Sequence, residues 1–163
     1  MINNMKAFVV KQVYEGGFSN SYDLIAFENY QDGLNYADAK NKEVNELRSK
    51  YQECEFIASE IVNRLFLSHL KETDEEAYQK LGCADFSAIT EEFWREYNKK
   101  LNEFLDDSDV VEKAMTEQKV SDMHKKMVRI YMDYHSFGEE GLPYYHVSMS
   151  PIEVVEQKES VEQ

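Results

Sequence analysis

Three carboxylates, Glu92, Glu96 and Glu103, stand four and then seven residues apart. On a helix that spacing holds them within about 40° of one another, at rises of about 6 and then 10 Å along the axis. Charges placed so are comparable with successive phosphates on a nucleic-acid strand, and such a row can enter a basic groove built for DNA or RNA. Glu91 precedes the row and Asp106, Asp107 and Asp109 follow it, which makes Glu91, Glu92, Glu96, Glu103, Asp106, Asp107 and Asp109 the candidate partner-binding set. Between Glu72 and Glu112, thirteen acidic side chains stand against Lys80, Arg95, Lys99 and Lys100, whereas residues 1–50 carry seven acidic and six basic ones. The charge is therefore local. Solvation of a soluble helix is the ordinary use of such a face, and its order along one side is what singles this one out.

Other chemistries find less support. The histidines are His69, His124, His135 and His146, and no two stand at i and i+4. His124 and His135 share a helical face, but eleven residues separate them by about 16 Å, too far to share an ion. No HExxH, GxSxG or GxxxxGK[ST] pattern occurs, and Cys54 and Cys83 lack CxxC spacing, which suits a reducing compartment. The expectation is a chain with no catalytic residues, no metal and no cofactor. Aromatic side chains are abundant, with eleven Tyr. Tyr14, Phe18, Tyr22, Tyr144 and Tyr145 are candidates either for a wet core rim or for an interface.

At the level of the whole chain, a net charge of -14 over 163 residues argues against a protein that grips a phosphate backbone directly. Six Gly and two Pro are too few for the turns of a sandwich or barrel. The apolar run Ala7 to Val10 is interrupted by Lys11 and Gln12, too short for a membrane span. No membrane partner is expected, and the cytoplasm is the predicted location.

The elements that must position these residues follow from periodicity. Residues 6–14 and 22–28 read as two strands joined by a Gly-Gly turn. Asn29, with Asp32 three residues on, is placed to cap a helix, and no proline interrupts the stretch from Tyr30 to Leu81. Within it Val44, Leu47, Tyr51, Cys54, Ala58, Ile61 and Leu65 alternate at steps of three and four, a heptad seam. Phe56, Ile57, Val62, Phe66 and Leu67 widen the stripe, which predicts burial of the C-terminal half on more than one side. A helix over residues 30–70 would be about 60 Å long, so it either breaks near Tyr51 or projects and finds a partner.

Residues 72–87 read as a short acidic helix ending at Gly82, with Ser87 or Thr90 as the cap of the next one. In that helix, Ala88 to Asp106, the residues Ile89, Phe93, Trp94, Tyr97, Leu101, Phe104 and Leu105 form the predicted core face. Asp109 is the predicted cap of the following helix, which should break between Thr116 and Ser121. Residues 144–150 alternate as a strand returning to the opening hairpin. The fold class predicted is α+β and mostly helical. A small antiparallel sheet forms from the N-terminal β-hairpin and a C-terminal strand, with a large helical insertion that includes one long helix. One domain over 1–156 and a frayed tail over 157–163 are expected.

The opening EGGFSNSYDLIAFENYQDGLNYAD, the terminal YYHVSMSPIEV and the overall acidity resemble the small acidic accessory proteins of tailed bacteriophages, among them anti-CRISPR and anti-restriction inhibitors. The resemblance lies in style over the whole chain and transfers no residue by position. It implies a non-enzymatic inhibitor, acting in the host bacterial cytoplasm, that binds a bacterial nucleic-acid-binding protein or nuclease complex and not nucleic acid itself. Two other readings stand beside it: a homodimer assembled through the 44–65 seam, and a small-ligand-binding protein.

Overall fold

A computed structural model of the chain describes residues 5–14, 21–82, 90–138 and 141–152. The β-branched and aromatic segments at the two ends form strands β1 (Met5–Tyr14), β2 (Ser21–Phe27) and β3 (Pro143–Ile152). Between β2 and β3 run α1 (Tyr30–Thr73), α2 (Glu75–Gly82), α3 (Glu91–Asp106), α4 (Ser108–Glu117) and α5 (Asp122–His135). This is the mostly helical α+β arrangement that the periodicity predicts, with both chain ends meeting in the sheet. The chain divides into two compact units, residues 1–46 with 137–163, and residues 47–136.

The first unit holds the sheet, in the antiparallel order β2-β1-β3. Phe8 lies between Phe27 and Met149, and Gln12 between Tyr22 and Tyr145. Val10 pairs with Ile25 but Lys11 with Asp23, so Leu24 is the extra residue of a bulge in β2. The start of α1 is anchored as its sequence predicts, since Asn29 Oδ1 accepts the Gln31 amide at 2.7 Å. Helix and sheet approach closely at Gly33, where a Cβ would meet Val147 Cγ1 at 3.4 Å and the Phe27 ring at 3.5 Å. Two turns on, Asn41 donates through Nδ2 to the Tyr145 carbonyl and accepts the Tyr145 amide, both at 2.8 Å. One side chain thus satisfies a backbone pair of β3 that would otherwise face outward as an open strand edge.

The second unit is helical and buries the seam. Tyr51, Cys54, Ala58, Ile61 and Leu65 of α1 form one apolar cluster with Phe104, Val111, Met115, Val128 and Tyr131. The helix runs through Tyr51 without a break. It stops at Asp74, whose carboxylate accepts the Ala77 amide at 3.0 Å and opens α2, so Glu72 and Thr73 belong to α1 rather than to the short helix. The predicted interruption after Thr116 is present: Lys119 takes a left-handed φ of 53°, and Ser121 caps α5 by accepting the His124 amide at 3.2 Å.

Three expectations are corrected. Phe56 and Ile57 are 74% and 43% exposed instead of widening the buried stripe, because the core helices cover only the seam side of α1 and the Val62–Phe66 flank. Trp94 is 48% exposed instead of core; it sits at the margin of the α3 stripe whose centre is Tyr97, Leu101 and Phe104. Asp107, not Asp109, caps α4, its carboxylate accepting the Val110 amide at 3.2 Å. The Gly-Gly turn, Phe18, Cys83, Ser87 and the tail over 157–163 lie outside the described residues. Among the described residues no helix is long and apolar enough to cross a membrane.

Candidate functional site

The candidate acidic face is carried by α3, which begins at Glu91 because Thr90 Oγ1 accepts the Phe93 amide at 3.2 Å. Its inner side is fixed by rings. Phe66 of α1 meets Tyr97 edge-on at 5.4 Å and Phe104 at 5.8 Å between centroids. Tyr97 also donates its hydroxyl to Asn63 Oδ1, joining α3 to α1. With that side fixed, the side chains of Glu92, Glu96 and Glu103 fall on the opposite one, and Glu92 and Glu103 are exposed.

The carboxylates are not equivalent. Glu96 is half-buried and accepts from Lys80 Nζ of α2 at 2.6 Å, which raises the Lys80 pKa through the hydrogen bond and the charge of Glu96. Glu91 pairs with Arg95 at 3.7 Å within α3. Asp107 is committed to capping α4, while its own amide donates to the Phe104 carbonyl at 3.4 Å. Glu92, Glu103, Asp106 and Asp109 are exposed, with no Lys or Arg nitrogen within 4 Å among the described residues. The row of seven therefore resolves into four charges with no cation in bonding distance, two paired ones and one cap, and Glu92 adds to the field that raises the Lys80 pKa.

Two further carboxylates of the acidic window are structural. Asp74 is held below the usual carboxylate range first by the Ala77 amide and then by Lys100, 3.2 Å away. Glu112 receives a two-pronged bond from Arg129 at 2.7 and 3.0 Å, which lowers its pKa and ties α4 to α5. Cys54 is buried, which pushes its thiol pKa up, and it suits a core position rather than a nucleophile. No group of three or more His, Cys, Asp or Glu converges as a metal would require among the described residues.

A feature that the sequence reading missed lies on the flank of α3. A cavity of about 570 Å³ opens between α1, the end of α2 and α3, with Val62, Leu67, Phe93, Trp94, Tyr97 and Leu101 among its walls. The signal was present in the angular position of Trp94, at the edge of its stripe rather than the centre. The heptad seam, by contrast, is occupied within the chain from Tyr51 to Leu65, so a second copy cannot use those residues. No family model, no curated protein and no solved structure matches this chain.

Proposed function

We propose that the chain is a non-enzymatic inhibitor that binds a bacterial nucleic-acid-handling defence complex, presenting the acidic face of α3 where that complex expects phosphates. The observation that carries this reading is the set of unpaired, exposed carboxylates, Glu92, Glu103, Asp106 and Asp109, on a helix whose other side is packed by Phe66, Tyr97 and Phe104. Charges held by a rigid element need no ordering on binding. The likeness to acidic phage accessory proteins supplies the class of target.

The test is capture from bacterial lysate with the intact chain as bait, at about 0.1 M and about 1 M NaCl, between which the Debye length falls from about 10 to about 3 Å. A nucleic-acid-binding protein should be retained at low salt, released at high salt and displaced by duplex DNA. Reversal of the free charges, Glu92→Lys with Glu103→Lys and Asp106→Lys, should abolish capture while the helical circular dichroism is unchanged. Glu96 is left alone because its reversal would break the tie to Lys80. Retention of the same protein by the triple variant would sink the reading.

A further inference from the structure

We propose that the cavity between α1, the end of α2 and α3 binds a small organic cation, an amine or quaternary ammonium carried on an apolar body of one or two rings. Four of its described walls are aromatic: Phe93, Trp94 and Tyr97 of α3 and the buried Tyr131 of α5. Phe93 and Tyr97 lie nearly parallel, at 22° and 6.3 Å between centroids. Trp94 stands across both, at 81° to Phe93 and 78° to Tyr97. Rings set in two nearly perpendicular planes suit an alkylammonium, whose charge is drawn to the face of each ring within about 6 Å. Tyr97 is fixed by the bond that its hydroxyl donates to Asn63 Oδ1 and by the Phe66 ring at 5.4 Å, so this corner exists before a ligand arrives.

The polar walls set the sign of the charge. Glu60 is the one charged residue among the described walls, and none of them is Lys, Arg or His. Arg64 follows one turn along α1 but is not a wall. Among the described residues no Lys or Arg nitrogen lies within 4 Å of the Glu60 carboxylate. Ser59 donates its hydroxyl to the Phe56 carbonyl at 2.8 Å and Asn63 Oδ1 accepts from Tyr97, which leaves the Glu60 carboxylate as the strong acceptor for an ammonium N–H. An anion would find no cation in these walls, whereas an amine finds a carboxylate and aromatic rings.

Size sets the body of the ligand. A volume of about 570 Å³ falls within the about 300–1,000 Å³ of small-molecule pockets. Val62, Leu67, Leu81 and Leu101 give the rest of the wall an apolar surface, which suits hydrocarbon rings beside the charged head. None of the seven carboxylates of the α3 row is among the described walls, so the site does not draw on the acidic face.

Trp94 is the only tryptophan of the chain and stands 48% exposed in the wall, so its emission reads occupancy. The probes are dibenzylamine, benzhydrol and diphenylacetate, which each carry two phenyl rings and are cationic, neutral and anionic at neutral pH. With the full chain at near-physiological salt, dibenzylamine should shift the emission saturably and bind about tenfold more tightly than diphenylacetate, with benzhydrol between them. Glu60→Gln should cut the preference for the amine over the alcohol about fivefold, whereas Asp38→Asn, which removes the same charge from the other unit, should leave it unchanged. Trp94→Ala, read by calorimetry, should weaken the amine about tenfold. The proposal is overturned if the amine gives no saturable shift, or if the alcohol or the carboxylate binds as tightly. It is overturned equally if Glu60→Gln keeps the full preference, if Asp38→Asn lowers it as much, or if Trp94→Ala binds the amine as the parent does. Lysate capture reads the acidic face and Trp94 emission reads the cavity, so either reading can fail without the other.

Discussion

His135 ends α5 against three tyrosine rings, 4.1 Å from Tyr131, 5.6 Å from Tyr134 and 5.7 Å from Tyr51. Its Nε2 lies 3.4 Å from the Tyr51 hydroxyl. Desolvation by that packing pushes its pKa below the ordinary 6.5, with Glu55 pulling weakly the other way. A depressed histidine pKa means that the folded state favours the neutral ring. The packing is thus at full strength above the unfolded value and is lost as pH falls through 6.5 towards the folded value. Urea unfolding midpoints measured down through that window should fall more steeply for the parent than for His135→Phe, which keeps a ring and removes the titration. Parallel slopes would show that the ring is solvated in the fold. At this scale the sequence reading located the carboxylates by spacing but could not sort them. Lys80 and Glu96 are sixteen residues apart, and a pair between two helices depends on how those helices pack.

The helices begin where short polar side chains can accept their first amides. Asn29, Thr90 and Ser121 all do so, and a cap is local enough to be read from a few residues. Asp107 and Asp109 separate capping from charge. Asp107→Ala should cost about 1 kcal/mol through the lost Val110 bond. Asp109→Ala removes only a first-turn charge and should cost about 0.3 kcal/mol. Denaturant midpoints of the two variants check the order, and equal losses would refute the assignment of the cap. The α1 seam was also legible, because steps of three and four recur whatever covers them. What covers them was not, and so Phe56 and Ile57, which continue the apolar pattern, stand in solvent.

For the whole molecule the net charge of -14 sets self-repulsion against ion pairs that, among the described residues, all lie at least partly exposed. Exposed pairs are each worth about 0–1 kcal/mol and weaken in salt; repulsion among the carboxylates weakens too, and 32 acidic residues stand against 18 basic ones. Raising NaCl from about 0.01 to about 0.15 M shortens the Debye length from about 30 to about 8 Å. The thermal midpoint should rise by about 2–4 °C, the shift that about 1 kcal/mol makes in a chain of this size. A fall, followed by calorimetry, would mean that the pairs outweigh the repulsion. The sequence alone determined the element types, the start of α1, the α4–α5 break and the clustering of acid on α3, because each depends on neighbours within a turn or two. Tertiary structure decided which carboxylates have a cation within reach, that the seam is used internally, and that Trp94, Phe56 and Ile57 stand exposed, because these depend on which helix faces meet.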